Sequence, residues 1–279
     1  MKVMPINNFY TTQYKNSNTQ NNKNILNPYT TNSVTFTHNK GIKNLSKTFH
    51  SEIKIFFSDV DGTLIGLNSF LPETAKKGLD LLEKNNIPIV FVTGKSLIVL
   101  KNALKGVDVP LSYCILQNGA CIIDKDGNKL YEDIMPKEKV SKIIDAYKTY
   151  KQQYPKEEIY LYFTIDGIRY TKKGNNIIQN EDIHYVENFD DILSFDKMPT
   201  KVLFRKKSSK GFEEMYNIRD FLTNTLDMEE TNVLVTSHKS CEVVNKTASK
   251  GAAIEFLTKH LGIDISNAAV IGDAENDIS

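Results

Sequence analysis

Apolar and polar positions divide the chain into two regimes. Over residues 1 to about 50 there is no period of 2 or of 3.6, and Asn, Thr, Ser and Lys dominate. Such a segment cannot bury enough apolar surface to offset its ordering entropy, so it reads as a disordered tail. From Ile53 onward, short apolar runs alternate with helical periods. The run that opens Ile53–Leu64 predicts a strand ending at Asp59, Asp61 and Gly62. Ala75, Leu79 and Leu82, spaced i, i+4, i+7, predict a helix that opens near Pro72 and closes at Asn85-Asn86. Ile87–Val92 is near-continuously apolar, as in a strand covered on both faces, and ends at Thr93-Gly94-Lys95-Ser96. A helix over Leu97–Lys105 and a strand over Tyr113–Leu116 follow, the strand ending at Gln117-Asn118-Gly119-Ala120. Asp126-Gly127 then predicts a hairpin.

Near Pro136 the texture changes. A helix over Lys137–Tyr150, a hairpin across Asp166-Gly167, and strands and a helix between Lys201 and Thr236 predict an α+β insert. The chain returns through Glu242–Asn245 to a helix over Gly251–Leu261 and a buried strand, Ala268–Ile271, which ends at Gly272-Asp273-Ala274-Glu275-Asn276-Asp277. The fold class is α/β, with a Rossmann-like parallel-sheet core. The expected boundaries are a tail over 1–50, core over 51–134, insert over 135–238 and a second part of the core over 239–279.

Charge narrows the function classes. The formal net charge is +1, and no basic stripe with interleaved aromatics suggests a nucleic acid partner. Residues 1–51 hold six of the 35 basic residues and none of the 34 acidic ones. A lack of acids resembles organelle targeting, but Arg and an amphipathic pattern are missing, so an inert tail on a cytoplasmic protein is the expectation. Cys114, Cys121 and Cys241, few and odd in number, suit buried thiols in a reducing compartment. No apolar run is long enough to span a membrane.

The chemistry sits at four strand ends: Asp59 with Asp61, Thr93 with Gly94, Asn118 with Gly119, and Asp273 with Asn276 and Asp277. If the strands are parallel, these tips share one edge of the sheet, where α/β proteins bind ligands. Carboxylates crowded there raise one another's pKa values unless a hard cation joins them. Mg²⁺ takes few carboxylates and a substrate phosphate. Threonine, lysine and glycine amides are phosphate donors. The inferred ligand is a phosphate beside Mg²⁺, with one acid as nucleophile and its neighbour as proton shuttle.

Asp59-Val60-Asp61-Gly62-Thr63-Leu64 resembles the first motif of the haloacid dehalogenase superfamily. Thr93-Gly94 resembles the second, Lys250 the third and Gly272–Asp277 the fourth, in the order and spacing of the Cof-type phosphatases, which insert a large cap between motifs two and three. Asn118-Gly119-Ala120 and Ser249-Lys250-Gly251 strengthen the subfamily match, which covers about 52–279. The resemblance implies Asp59 as nucleophile and Mg²⁺ ligand, and Asp61 as general acid/base with its main-chain carbonyl on the metal. Thr93 and the Gly94 amide would hold the phosphate, and Lys250 would pair with Asp59 and the phosphate. Asp273 and Asp277 would serve the metal. Asn118, Gly119 and Asn276 would contact phosphate or substrate. Lys95 stands where the family usually has Arg, keeping the charge without the bidentate fork. The family continues with a helix and a strand beyond the fourth motif, so this chain is expected to be short at its C-terminus. The implied activity is Mg²⁺-dependent hydrolysis of a small phosphorylated metabolite, a sugar phosphate by default. The alternatives are a phosphotransferase of the phosphomannomutase type and a truncated, inactive relative.

Overall fold

The computed structural model describes residues 52–66, 71–104, 111–174, 178, 183–273 and 277. The expected tail over 1–50 and Asn276 lie outside them.

The first sheet is built from β1 (Ile55–Asp59), β2 (Ile89–Val92), β3 (Leu111–Leu116), β4 (Cys121–Asp124), β5 (Lys129–Glu132) and β12 (Ala268–Ile271) in the order β12-β1-β2-β3-β4-β5. The four strands from β12 to β3 are parallel, and β4 and β5 turn back antiparallel. The parallel strands read as unbroken apolar runs because successive side chains feed two different cores. Ile89 and Phe91 pack with Ala75 and Leu79 of α1 (Glu73–Lys84) and Leu100 of α2 (Leu97–Ala103). Val90 and Val92, with Ile55 and Phe57, pack on the other face against Ala253, Ile254 and Leu257 of α5 (Lys250–His260). Asn86, at φ 55°, supplies the left-handed residue after α1.

The second sheet has the order β10-β11-β9-β6-β7-β8: β6 (Ile159–Ile165), β7 (Ile168–Lys172), β8 (Ile183–Val186), β9 (Lys201–Lys206), β10 (Thr231–Ser237) and β11 (Ser240–Asn245). Helices α3 (Lys137–Gln153) and α4 (Phe212–Thr225) cover one face through Val140, Ile143, Met215, Ile218 and Leu222. On the opposite face, Val244 packs against Ala120 of the first sheet's β3–β4 connection.

Two features depart from the sequence reading. β8 has no separate signal in the sequence. Ser240–Asn245 pairs antiparallel with both β10 and β9, so the expected boundary at 238 falls inside a hairpin and the second sheet runs on through Asn245. The turn there carries no Asn-Gly or Asp-Gly, and the pairing is decided by strand contacts rather than turn chemistry.

The two crossings between the sheets run side by side. Asn245 donates through its Nδ2 to Asp133 Oδ1 at 2.6 Å, and Thr247 donates to Asp133 Oδ2 at 2.5 Å.

Candidate active site

Asp59 is the last residue of β1, which lies between β12 and β2, and only 6% of it is exposed. The chain then folds back tightly. The Gly62 amide donates to the Ile65 carbonyl at 2.9 Å, and the Ile65 amide to the Val60 carbonyl at 2.8 Å. Gly62 has φ +84°, and a Cβ there would lie 2.3 Å from Asp273 Oδ2. Glycine is therefore required both by the turn and by the approach of the acidic loop that follows β12.

That loop is aligned by parallel register. Ser58 pairs with Ile271, which brings the residues after β12 level with Asp59. Thr63 donates to Asp273 Oδ1 at 2.7 Å, and the Asp273 amide donates to Asp277 Oδ2 at 3.1 Å. Lys250 is the first residue of α5, whose N-cap Ser249 accepts from the Ala252 amide. Its Nζ donates to Asp59 Oδ1 and to Asp277 Oδ1, both at 2.6 Å.

Carboxylate oxygens of Asp59, Asp273 and Asp277 lie within 4.8 Å of one another. Three hard oxygen donors at one sheet edge, from buried to exposed, are a donor set that suits Mg²⁺ and leaves its remaining positions for water and substrate. Burial pushes the Asp59 carboxyl up to about 6, with Lys250 working against the rise and Asp277 adding to it. Burial also works against the Lys250 ammonium, but Asp59 and Asp277 outweigh it and raise its pKa.

The other candidates are placed differently. Asp61 is exposed and its carboxylate pairs with Lys95 Nζ rather than joining the three acids. Its implied metal contact is through the main chain alone. Thr93 is fully buried, with its hydroxyl accepting from the Lys95 amide at 3.2 Å. Gly94 and Asn118 pack together, and a Cβ on Gly94 would meet Asn118 Oδ1 at 3.0 Å. Asn118 is 1% exposed and donates through Nδ2 to Glu242 Oε2 of β11 at 2.7 Å. Gly119, at φ +97°, faces the backbone of Ser249, where a Cβ would lie 2.1 Å from the carbonyl oxygen. Its contact in this structure is thus the start of α5. Lys201 and Glu242 reach this edge from the second sheet and carried no signal in the sequence, because only the pairing of β9 with β11 brings them together.

The haloacid dehalogenase-like hydrolase family matches residues 56–279. The chain belongs to that family. It is 26% identical over 223 residues to an HMP-PP phosphatase of Escherichia coli, covering 78% of this chain and 77% of the relative. Among solved structures, a haloacid dehalogenase-like hydrolase from B. subtilis superposes with a TM-score of 0.65 at 18% identity, over 80% of this chain and 84% of the other. A subclass IIB sugar phosphatase of the same superfamily superposes with a TM-score of 0.63 at 17% identity, over 81% and 82%. The first sheet is thus the Rossmann-like core of this fold and the second belongs to its inserted α+β cap domain.

Proposed function

We propose that this enzyme hydrolyses the phosphate ester of a small metabolite through a phosphoryl group carried on Asp59. The observation behind this reading is the position of Lys250, whose single ammonium is shared between Asp59 at the end of β1 and Asp277 beyond β12. Two residues from much later in the chain thus converge on the acid that terminates β1.

Asp59, Asp273 and Asp277 would hold Mg²⁺, which supplies neutralisation of charge at the transferring group. Asp59 attacks phosphorus through a carboxylate oxygen and the ester P–O bond breaks. Asp61, two residues beyond Asp59, is exposed and tethered by Lys95, and delivers a proton to the departing oxygen. It then takes a proton from water, which attacks the aspartyl phosphate and releases inorganic phosphate and the restored carboxylate. Lys250 keeps Asp59 aimed and ionised at neutral pH and offsets negative charge on the phosphoryl oxygens. Thr93 and the Gly94 amide are the cradle for those oxygens.

The relatives named for HMP-PP and for sugar phosphates favour a small phosphorylated metabolite over a phosphoprotein. Release of phosphate from an aryl phosphate, supported by Mg²⁺ and stopped by EDTA, tests the reaction. Asp59→Asn should abolish it; turnover in that variant would sink the mechanism. A panel of phosphorylated metabolites then ranks the leaving groups.

A further inference from the structure

The cap sends one buried charge pair into the core. Lys201, at the start of β9, is 1% exposed, and Glu242, in β11, is 6% exposed. Lys201 lies opposite Val244, two residues along β11 from Glu242, so both side chains leave the same face of the cap sheet. Lys201 Nζ donates to Glu242 Oε1 at 3.1 Å and to the main-chain oxygen of Gly94 at 2.7 Å. The other Glu242 oxygen accepts from Asn118 Nδ2 at 2.7 Å. Two core loops, after β2 and after β3, are thereby gripped by one ion pair belonging to the cap.

Two buried charges are costly unless each is fully engaged. Here the partners that complete the pair belong to the core. Moving the cap away would strip Lys201 of the Gly94 carbonyl and Glu242 of the Asn118 amide together. The grip also has a direction. With the Gly94 carbonyl drawn toward the cap, the amide of the same peptide, on Lys95, points back to Thr93 Oγ1 at 3.2 Å. The main-chain amide of Asn118 donates to the Thr93 carbonyl at 3.1 Å. The Thr93–Gly94 segment is therefore held by the core's own bonds at Thr93 and from the cap at the Gly94 carbonyl.

We propose that Lys201 and Glu242 are positioning residues that make the phosphate cradle at Thr93 and Gly94 dependent on cap docking. The inference rests on the phosphatase reading above. An enzyme so built binds phosphate well only with its cap seated, which links phosphate capture to exclusion of water.

A second tie between the sheets supplies the control. Lys197 pairs with Glu132 Oε2 at 2.7 Å and with Asp166 at 2.5 Å, joining cap to core without touching either loop. Inorganic phosphate is the informative probe, since it has no leaving group for the cap to recognise. Its inhibition constant should be measured in the full chain with Mg²⁺ for wild type, Lys201→Met, Lys197→Met and the charge-neutral double variant Lys201→Met/Glu242→Gln. The double variant removes both buried charges and protects the test against a single variant that fails to fold. Loss of a hydrogen bond to a charged group predicts inhibition weaker by about tenfold or more in Lys201→Met and in the double variant, with Lys197→Met within about twofold of wild type. Equal effects of Lys201→Met and Lys197→Met, or wild-type inhibition in the double variant, would overturn the proposal while leaving the phosphatase reading intact. A wild type that neither hydrolyses aryl phosphates nor binds phosphate would remove that reading, and this proposal with it.

Discussion

The Thr63 hydroxyl donates to Asp273 Oδ1 at 2.7 Å across a separation of 210 residues. Thr63 belongs to the turn that carries Asp59 and Asp61, while Asp273 belongs to the loop at the other end of the chain. The bond aims one oxygen of an exposed carboxylate that has no helix or strand to hold it. Groups that orient a metal ligand typically change metal affinity by about 10- to 100-fold when removed. Thr63→Val keeps the shape and deletes the donor. It should raise the Mg²⁺ concentration needed for half-maximal activity by about tenfold with a smaller change in the rate at saturating metal, as a Mg²⁺ titration of phosphate release would read.

Asp59 gives the metal-free protein a defined pH dependence. Its carboxyl is raised from 3.8 to about 6 on folding, mainly by burial. For an acid shifted upward, the native state favours the protonated form. The associated stability is complete below about pH 4 and is lost as pH rises through about 6, by up to about 3 kcal/mol for a shift of about two units. Urea unfolding in EDTA should therefore show stability falling between pH 4.5 and 7. Asp59→Asn should flatten that slope, and Mg²⁺ should stabilise the wild type more at pH 7 than at pH 4.5. An unchanged slope in Asp59→Asn would refute the assignment.

The three cysteines should be silent in the native state. Burial pushes Cys114 up to about 12 and Cys121 up to about 11, and raises Cys241 further. Thiolate is the reactive form, so almost none is present at pH 8. Mass spectrometry after iodoacetamide should find no alkylation of folded protein and three modified sites after denaturation.

Gly119→Ala should be destabilising. The residue holds φ +97°, and the added Cβ would sit 2.1 Å from the Ser249 carbonyl oxygen, immediately before Lys250. The backbone penalty alone is about 1 kcal/mol, and the clash adds to it. The expected result is a urea midpoint shift corresponding to about 2 kcal/mol or more, with reduced activity because Lys250 is displaced from Asp59. Gly127→Ala is the comparison, since its φ is +86° but nothing lies within 4 Å of the added Cβ.

What the sequence discloses follows from how local each signal is. β1 and β2 are legible because apolar runs end abruptly in polar residues, and the hairpins at Asp126-Gly127 and Asp166-Gly167 because Gly127, Asp166 and Gly167 hold positive φ. The convergence of Asp59, Lys250, Asp273 and Asp277 is legible because Asp59 ends β1, Lys250 opens α5 and the other two follow the parallel neighbour β12. The membership of β11 in the cap sheet was not, since its antiparallel pairing with β10 and β9 has no turn signature. Asn118 shows the same limit. Its place at the strand tip suggests a substrate contact, whereas its amide is engaged by Glu242, 124 residues away. No spacing rule connects those two positions, because only strand register in a separate sheet brings them together.

The neighbours of β1 impose an order on the molecule's birth. One of them, β2, follows within a few dozen residues, but the other, β12, begins at Ala268 after the whole cap has been made. During synthesis on the ribosome, β1 therefore emerges early and waits with one edge unpaired while more than half of the chain is added. Such long-range parallel pairing is slow, and an open apolar edge invites wrong partners in the meantime. The acid at the tip of β1 meets Lys250 and Asp277 only once α5 and β12 have followed the whole second sheet, so this cluster assembles late rather than by degrees.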